Sequence, residues 1–244
     1  MLLSVILYGS RARGDYRPKS DFDLLGVIEN GPMRREIAAG GVSLYHYPVH
    51  KLQSAAEIGE LFALHLTAEG KVLHDTLGVF KNVQASFSFK SNYDSEIEDA
   101  SYVIRFLIDR RNLIAKKDVR KRLVWAMRTI LIARNANERR VCFSSALLAN
   151  YSRIGELKDI IDHRNLPDTE GFLKVATRVL ERFGNGEWLA NWPDEKAAQR
   201  EILEARGGVA ADTIRFVRPF AILKKTKSPT ASLSIPDIGF AYPD

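Results

Sequence analysis

The chain runs to 244 residues, 45% of them apolar and 27% charged, with a formal net charge of +6; that is enough for one large domain or two small ones, each with a buried core. Its one cysteine, Cys142, excludes an internal disulfide, and no apolar run approaches the length of a membrane span, so the expected setting is the reducing cytoplasm with no membrane partner. The positive balance fits an ordinary basic surface and equally a polyanionic partner such as RNA or a nucleotide.

Leu2–Tyr8 (LLSVILY) is an apolar run that stops at Gly9-Ser10, the pattern of a buried strand running into a turn. Residues 10–14 have room only for the first turns of a helix. Residues 21–28 alternate and are rich in Leu, Val and Ile, which predicts a second strand. A third, residues 42–47 (VSLYHY), is entered through Gly40-Gly41 and closed by Pro48. Leu52, Ala55, Ala56, Leu61, Phe62, Leu64 and Leu66 recur at helical spacing and predict one helix over 52–69, and residues 72–75 read as a last edge strand. The stretch 80–94 is polar and rich in Ser and Asn, as a linker would be.

From about residue 95 the pattern is helical. Ile97, Ala100, Ile104, Leu107 and Ile108 form one apolar stripe over 96–115, and Leu123, Ala126, Met127, Ile130 and Leu131 another over 119–134. Ser144 caps a short helix through Tyr151. Further helices are expected over 156–161, 169–183 and 194–205, the last two opening on the start signals Asp168-Thr169-Glu170 and Pro193-Asp194-Glu195. The fold class that follows is α+β: a small N-terminal α/β core with a mixed sheet at 1–80, a mostly α-helical domain at 95–206, and a basic tail packing on the surface at 207–244. In the helical part Arg110, Lys117 and Lys121 share a face, either solvated or forming a positive groove for RNA or a triphosphate. Trp125, Trp188 and Trp192 are expected in the core, and Cys142 is expected to be buried.

The residues with chemistry to offer crowd into the first 25 positions. A strand that enters a Gly-Ser turn and then a helix aims backbone N–H groups at one spot, so Gly9 and Ser10 suit a phosphate. Asp21 and Asp23 stand two apart on an extended chain, point to the same face, and lie about 7 Å apart along it. Such a pair is either a solvated strand end or a site for hard cations, for which Mg²⁺ prefers oxygen ligands. Arg11 and Arg13 lie between these features, to touch a triphosphate or to pair with Asp15 or a neighbouring acid. Ser20 is placed to cap the turn and orient Asp21.

Taken together, Leu7-Tyr8-Gly9-Ser10-Arg11-Ala12-Arg13-Gly14-Asp15 and Ser20-Asp21-Phe22-Asp23-Leu24 resemble the minimal nucleotidyltransferases of the DNA polymerase β-like superfamily. The likeness is strong over residues 2–25 and loose to about residue 75. It implies a nucleotidyltransferase core with a C-terminal helical domain. It further implies that Gly9, Ser10, Arg11, Arg13 and Ser20 hold a nucleoside triphosphate, while Asp21 and Asp23 are the catalytic carboxylates on Mg²⁺ or Mn²⁺. The implied reaction moves a nucleoside monophosphate onto a hydroxyl of an RNA end, a protein or a small molecule. Members of that family carry a third carboxylate on the next strand. Here that strand is VSLYHY, without an acid, and Ser43 or Tyr45 takes the expected face. The alternative expectation is therefore a catalytically degenerate nucleotide- or RNA-binding module, antitoxin-like or regulatory.

Overall fold

The computed structural model describes residues 1–186 apart from 19, 39, 110, 112–115 and 164–166. They divide into two compact units, one of Met1–Asn92 with Asn135–Ser144, the other of Tyr93–Arg134 with the described residues from Ser145 on. The helix expected at 194–205, the tail at 207–244, Trp188, Trp192 and Arg110 lie outside the described residues.

The first unit is built on β1 (Leu2–Tyr8), β2 (Phe22–Ile28), β3 (Arg34–Ala38), β4 (Val42–Pro48) and β5 (Lys71–Asp75). They lie in the order β3-β4-β2-β1-β5, with β2 and β4 parallel and every other pair antiparallel. The period of two is plain in β1, where Ser4, Ile6 and Tyr8 are buried while Leu3, Val5 and Leu7 are half-buried. Register puts Leu25 beside Ile6 and Asp23 beside Tyr8 on that covered face. Ile6, Tyr8, Leu25 and Val27 pack there with Leu52, Ala55 and Ala56 of α2 (Val49–Glu57), Ala63 and Leu66 of α3 (Leu61–Glu69), and Phe80 and Val83 of α4 (Val79–Ser86). Each large aliphatic side chain taken fully out of water here contributes about 1.5–3 kcal/mol.

Three elements differ from the sequence expectation. The helix expected over 52–69 is two helices, because Gly59 sits at φ +74° and a Cβ there would stand 2.3 Å from the Ser88 carbonyl oxygen. The chain from Ser88 to Lys90 runs so close that only glycine fits, and the helix must stop. The strand β3 has no apolar alternation, since its Arg-Arg-Glu-Ile-Ala sequence forms a charged sheet edge. Residues 80–86, expected to open a linker, belong to α4, whose Phe80 and Val83 are fully buried. The start of α4 is held by Asp75, which accepts from the backbone N–H groups of Phe80 (2.8 Å) and Lys81 (3.2 Å) and from the Ser4 hydroxyl. Burial works against the charge of Asp75, and these three donors more than offset it, holding the carboxyl below its ordinary pKa.

The second unit is helical: α5 (Asp94–Asp109), α6 (Lys116–Asn137, its last residues counted with the first unit), α7 (Ser145–Ser152), α8 (Leu157–Asp162) and α9 (Thr169–Phe183). The expected stripes are buried, with Ile97, Ala100 and Ile104 of α5 and Leu123, Ala126, Met127, Ile130 and Leu131 of α6 fully covered. The Asp168 carboxylate caps α9 by accepting from Gly171 N–H at 3.0 Å. Two arginines of α6 turn inward. Arg120 is buried and donates to Thr169 Oγ1, and Arg134 donates to the Phe183 carbonyl and to Asn185 Oδ1. Lys117 is exposed, Lys121 and Trp125 are half-buried, and Cys142 is buried. No described helix is long and apolar enough to cross a membrane.

Replacing Asp75 by Ala removes the acceptor for two helix-start N–H groups and for the fully buried Ser4. We expect a loss of about 1–3 kcal/mol, read as a shifted midpoint in chemical denaturation with the sheet signal in circular dichroism retained.

Candidate functional site

Two aspartates at the head of β2 are each seated against a glycine. The Tyr8–Asp23 pairing across β1 and β2 brings Gly9, the first residue of α1 (Gly9–Arg13), against the Asp23 carboxylate. Gly9 is left-handed at φ +74°, and a Cβ there would stand 2.7 Å from Asp23 Oδ2. Asp23 is 8% exposed, and its other register neighbour is Ser43 on β4. Asp21 precedes β2 by one residue and is half-buried. A Cβ on Gly41, also at φ +74°, would stand 2.9 Å from Asp21 Oδ1. The Phe22 N–H donates to the Gly41 carbonyl at 2.7 Å and pins that approach. Gly41 was visible in the sequence only as an entry to a strand; nothing there tied it to Asp21, since the contact depends on the parallel pairing of β2 with β4.

The arginines between the turn and the aspartates have partners within the protein. Arg11 donates through Nε and Nη2 to the Ser20 carbonyl, and its guanidinium lies 4.4 Å from the Tyr16 ring centre and 4.2 Å from that of Phe22. It therefore ties the loop ahead of Asp21 to α1. Ser20 closes the same loop: its hydroxyl accepts from Arg17 N–H at 2.9 Å. Arg13 donates to Asp15 and, at 3.0 Å, to Glu69 Oε2 on α3. Glu69 also lies 3.2 Å from His65 Nε2, and the His65 ring stacks on Phe143 and meets Tyr8 edge-on. Burial pushes the Glu69 carboxyl up, but hydrogen bonds and charges from His65 and Arg13 prevail and hold it below its ordinary value. Sequence reasoning had no way to find this knot, because His65 and Glu69 sit on a helix 52 and 56 residues from Arg13.

Of Ser43 and Tyr45 on the next parallel strand, Ser43, which is 5% exposed, is the register partner of Asp23. Arg35 of β3 donates from Nε to the Ser43 hydroxyl at 2.8 Å. Tyr45 lies two residues along the same face, and Arg35 is its register partner. Burial, then the charge of Asp23, push the Tyr8 phenol far above its usual pKa, with Arg35 acting the other way. The hydroxyl of Tyr8 thus keeps its proton at any ordinary pH. His46 and Glu36 are 3.4 Å apart on the opposite face of the sheet. Among the described residues no group of three His, Cys, Asp or Glu side chains is placed to hold a metal ion. Asp21 and Asp23 thus put two carboxylates at the head of one strand, each closed against its own glycine, and hard oxygens are the donor type that Mg²⁺ prefers.

Residues 2–110 match the family model described as the nucleotidyltransferase domain. The crystal structure at 1.90 Å of a nucleotidyltransferase-like protein from Exiguobacterium sibiricum 255-15 shares 13% identity, with 95% of this chain and 77% of that one covered and a TM-score of 0.32. A likeness that loose decides neither fold nor chemistry. No curated protein matches the chain.

Gly9→Ala adds a methyl to a left-handed residue and drives it at the Asp23 carboxylate. A fall in stability of about 1–2 kcal/mol is expected, measured by thermal unfolding. Glu69 gives a pH test. Its folded pKa is depressed, so its stabilisation is fully present above the ordinary value of 4.5 and fades as pH drops through the lower folded value. The stability gap between wild type and Glu69→Gln should be widest near neutrality and close as the pH falls below 4.5; a gap constant with pH would show that Glu69 makes no charge-dependent contribution.

Proposed function

Residues 2–110 of this chain are a nucleotidyltransferase domain, and on that premise we propose that it transfers a nucleoside monophosphate from a nucleoside triphosphate to a hydroxyl acceptor. The observation that carries the reading is the seating of Asp23 against Gly9, with Asp21 at the same strand head against Gly41. A triphosphate that approaches the bend at Gly9-Ser10 meets backbone rather than side chain at position 9, next to the carboxylates. Asp21 and Asp23 would hold a divalent cation there, Mg²⁺ or Mn²⁺, which supplies charge neutralisation on the phosphates. The protein's own part is positioning: Arg11, Arg13 and Ser20 fix the loop and the turn, so the carboxylates meet the substrate with little reorganisation. The +6 balance favours RNA or a protein over a cationic small molecule as acceptor.

A second reading has its own support. Ser43 in place of a third acid, with Arg35 bonded to it, removes the usual anchor for a second cation. On that reading the unit binds a nucleotide, or RNA, without turnover and acts as a regulatory or antitoxin-like partner. Incubation with labelled nucleoside triphosphates, Mg²⁺ or Mn²⁺ and candidate RNA, protein and small-molecule acceptors separates the two. We expect labelled product that Asp21→Ala and Asp23→Asn both abolish, and for Asp23→Asn a loss of metal-dependent nucleotide affinity of about tenfold or more. Nucleotide binding with no product on any acceptor supports the second reading. Absence of both binding and product overturns each of them.

A further inference from the structure

We infer that Arg35 is a nucleotide-binding residue: its guanidinium, held by Ser43 beside Asp23, supplies in this chain the positive charge that a second divalent cation supplies at a three-carboxylate site. This rests on the reading of Asp21 and Asp23 as the seat of a cation–triphosphate. Three observations converge on it. Ser43 is the direct register neighbour of Asp23 on the adjoining parallel strand, about 5 Å away at the backbone. Arg35 reaches Ser43 from the next strand, its Nε–H donating to the hydroxyl at 2.8 Å. Arg35 itself is half-buried, so the charge is partly shielded from water yet open to a ligand.

The physical case turns on charge. Two aspartates and a triphosphate are mutually repulsive, and one divalent ion leaves much of that repulsion in place. A guanidinium is always protonated, offers further N–H donors beyond the one given to Ser43, and matches phosphate oxygens in pairs. Being fixed, it also repels a second cation from the position next to Asp23. Arg35 is bound by its bond to a neutral hydroxyl there, which orients the side chain without cancelling its charge.

The test counts cations and measures affinity in the full-length chain. Mn²⁺ bound in the presence of a non-hydrolysable nucleoside triphosphate analogue is counted by electron paramagnetic resonance, and analogue affinity in Mg²⁺ is measured by calorimetry. Wild type should hold one Mn²⁺ per bound nucleotide. Arg35→Gln should weaken the analogue by about tenfold or more, and Arg35→Lys, which keeps the charge, should recover part of that. Arg35→Gln combined with Ser43→Asp should admit a second Mn²⁺. Two Mn²⁺ per nucleotide in wild type would overturn the inference while leaving the nucleotide reading intact. So would unchanged affinity in Arg35→Gln with a lowered melting temperature, which would make Arg35 a brace for Ser43 alone. A wild type that binds no Mn²⁺–nucleotide, with Asp23→Asn no different, overturns the nucleotide reading and the role of Arg35 with it.

Discussion

The parallel register of β2 against β4 is the constraint on which the rest of this molecule depends. It sets Ser43 beside Asp23 and Gly41 against Asp21, while the antiparallel register of β1 sets Tyr8 and then Gly9 against Asp23 from the other side. A slip of one residue would send Asp23 to the opposite face, where His46 and Glu36 lie, and would bring Leu24 to the bend. The register is held by apolar burial. Leu25 and Val27 continue the face that Asp23 begins, and both are fully covered by helices. The same alternation that drives the sheet to fold thus delivers a charged pair to its rim.

A parallel pair cannot be joined by a tight hairpin, so β2 must reach β4 through a connection that doubles back. Here that connection is β3, which runs antiparallel to β4 and ends at the Gly40-Gly41 turn. The geometry explains why a strand of such unpromising composition exists. Arg34, Arg35 and Glu36 are tolerated because β3 closes the sheet on one side, and an edge rich in charge resists pairing with other chains. On the far side, Asp75 at the end of β5 joins the sheet to α4 through Ser4 and two backbone donors. Between them, Arg13 locks the short helix after β1 to α3 through Glu69.

Much of this was legible in the residues. The strands at Leu2–Tyr8, 21–28 and 42–47, the turn at Gly9-Ser10 and the helical stripes after residue 95 all carry strong local signals, and each is present. The face of Ser43 and Tyr45 was also readable, because alternation along a strand is geometric. What escaped reading was set by distant neighbours. Gly59 breaks a helix because Ser88 passes beside it, and Phe80 and Val83 turn a polar stretch into a helix because a sheet face is there to cover. For Arg11 and Arg13 the sequence offered a triphosphate or a pairing with Asp15 or a neighbouring acid; the pairing of Arg13 with Asp15 is present, while the contacts to Ser20 and Glu69 become visible only with the chain folded. Arg35 escaped because the strand that carries it did.

The strand β3 spans five residues and is hydrogen-bonded along one side only. Backbone so placed opens with a small fraction of the free energy needed to unfold the domain, and its amide protons exchange with solvent ahead of those of β1 and β2. The Arg35 guanidinium on Ser43 therefore rides on an edge strand, whereas Asp23 sits on the innermost strand of the sheet. Fraying of that single strand would release Arg35 from Ser43 and leave Asp23 in place.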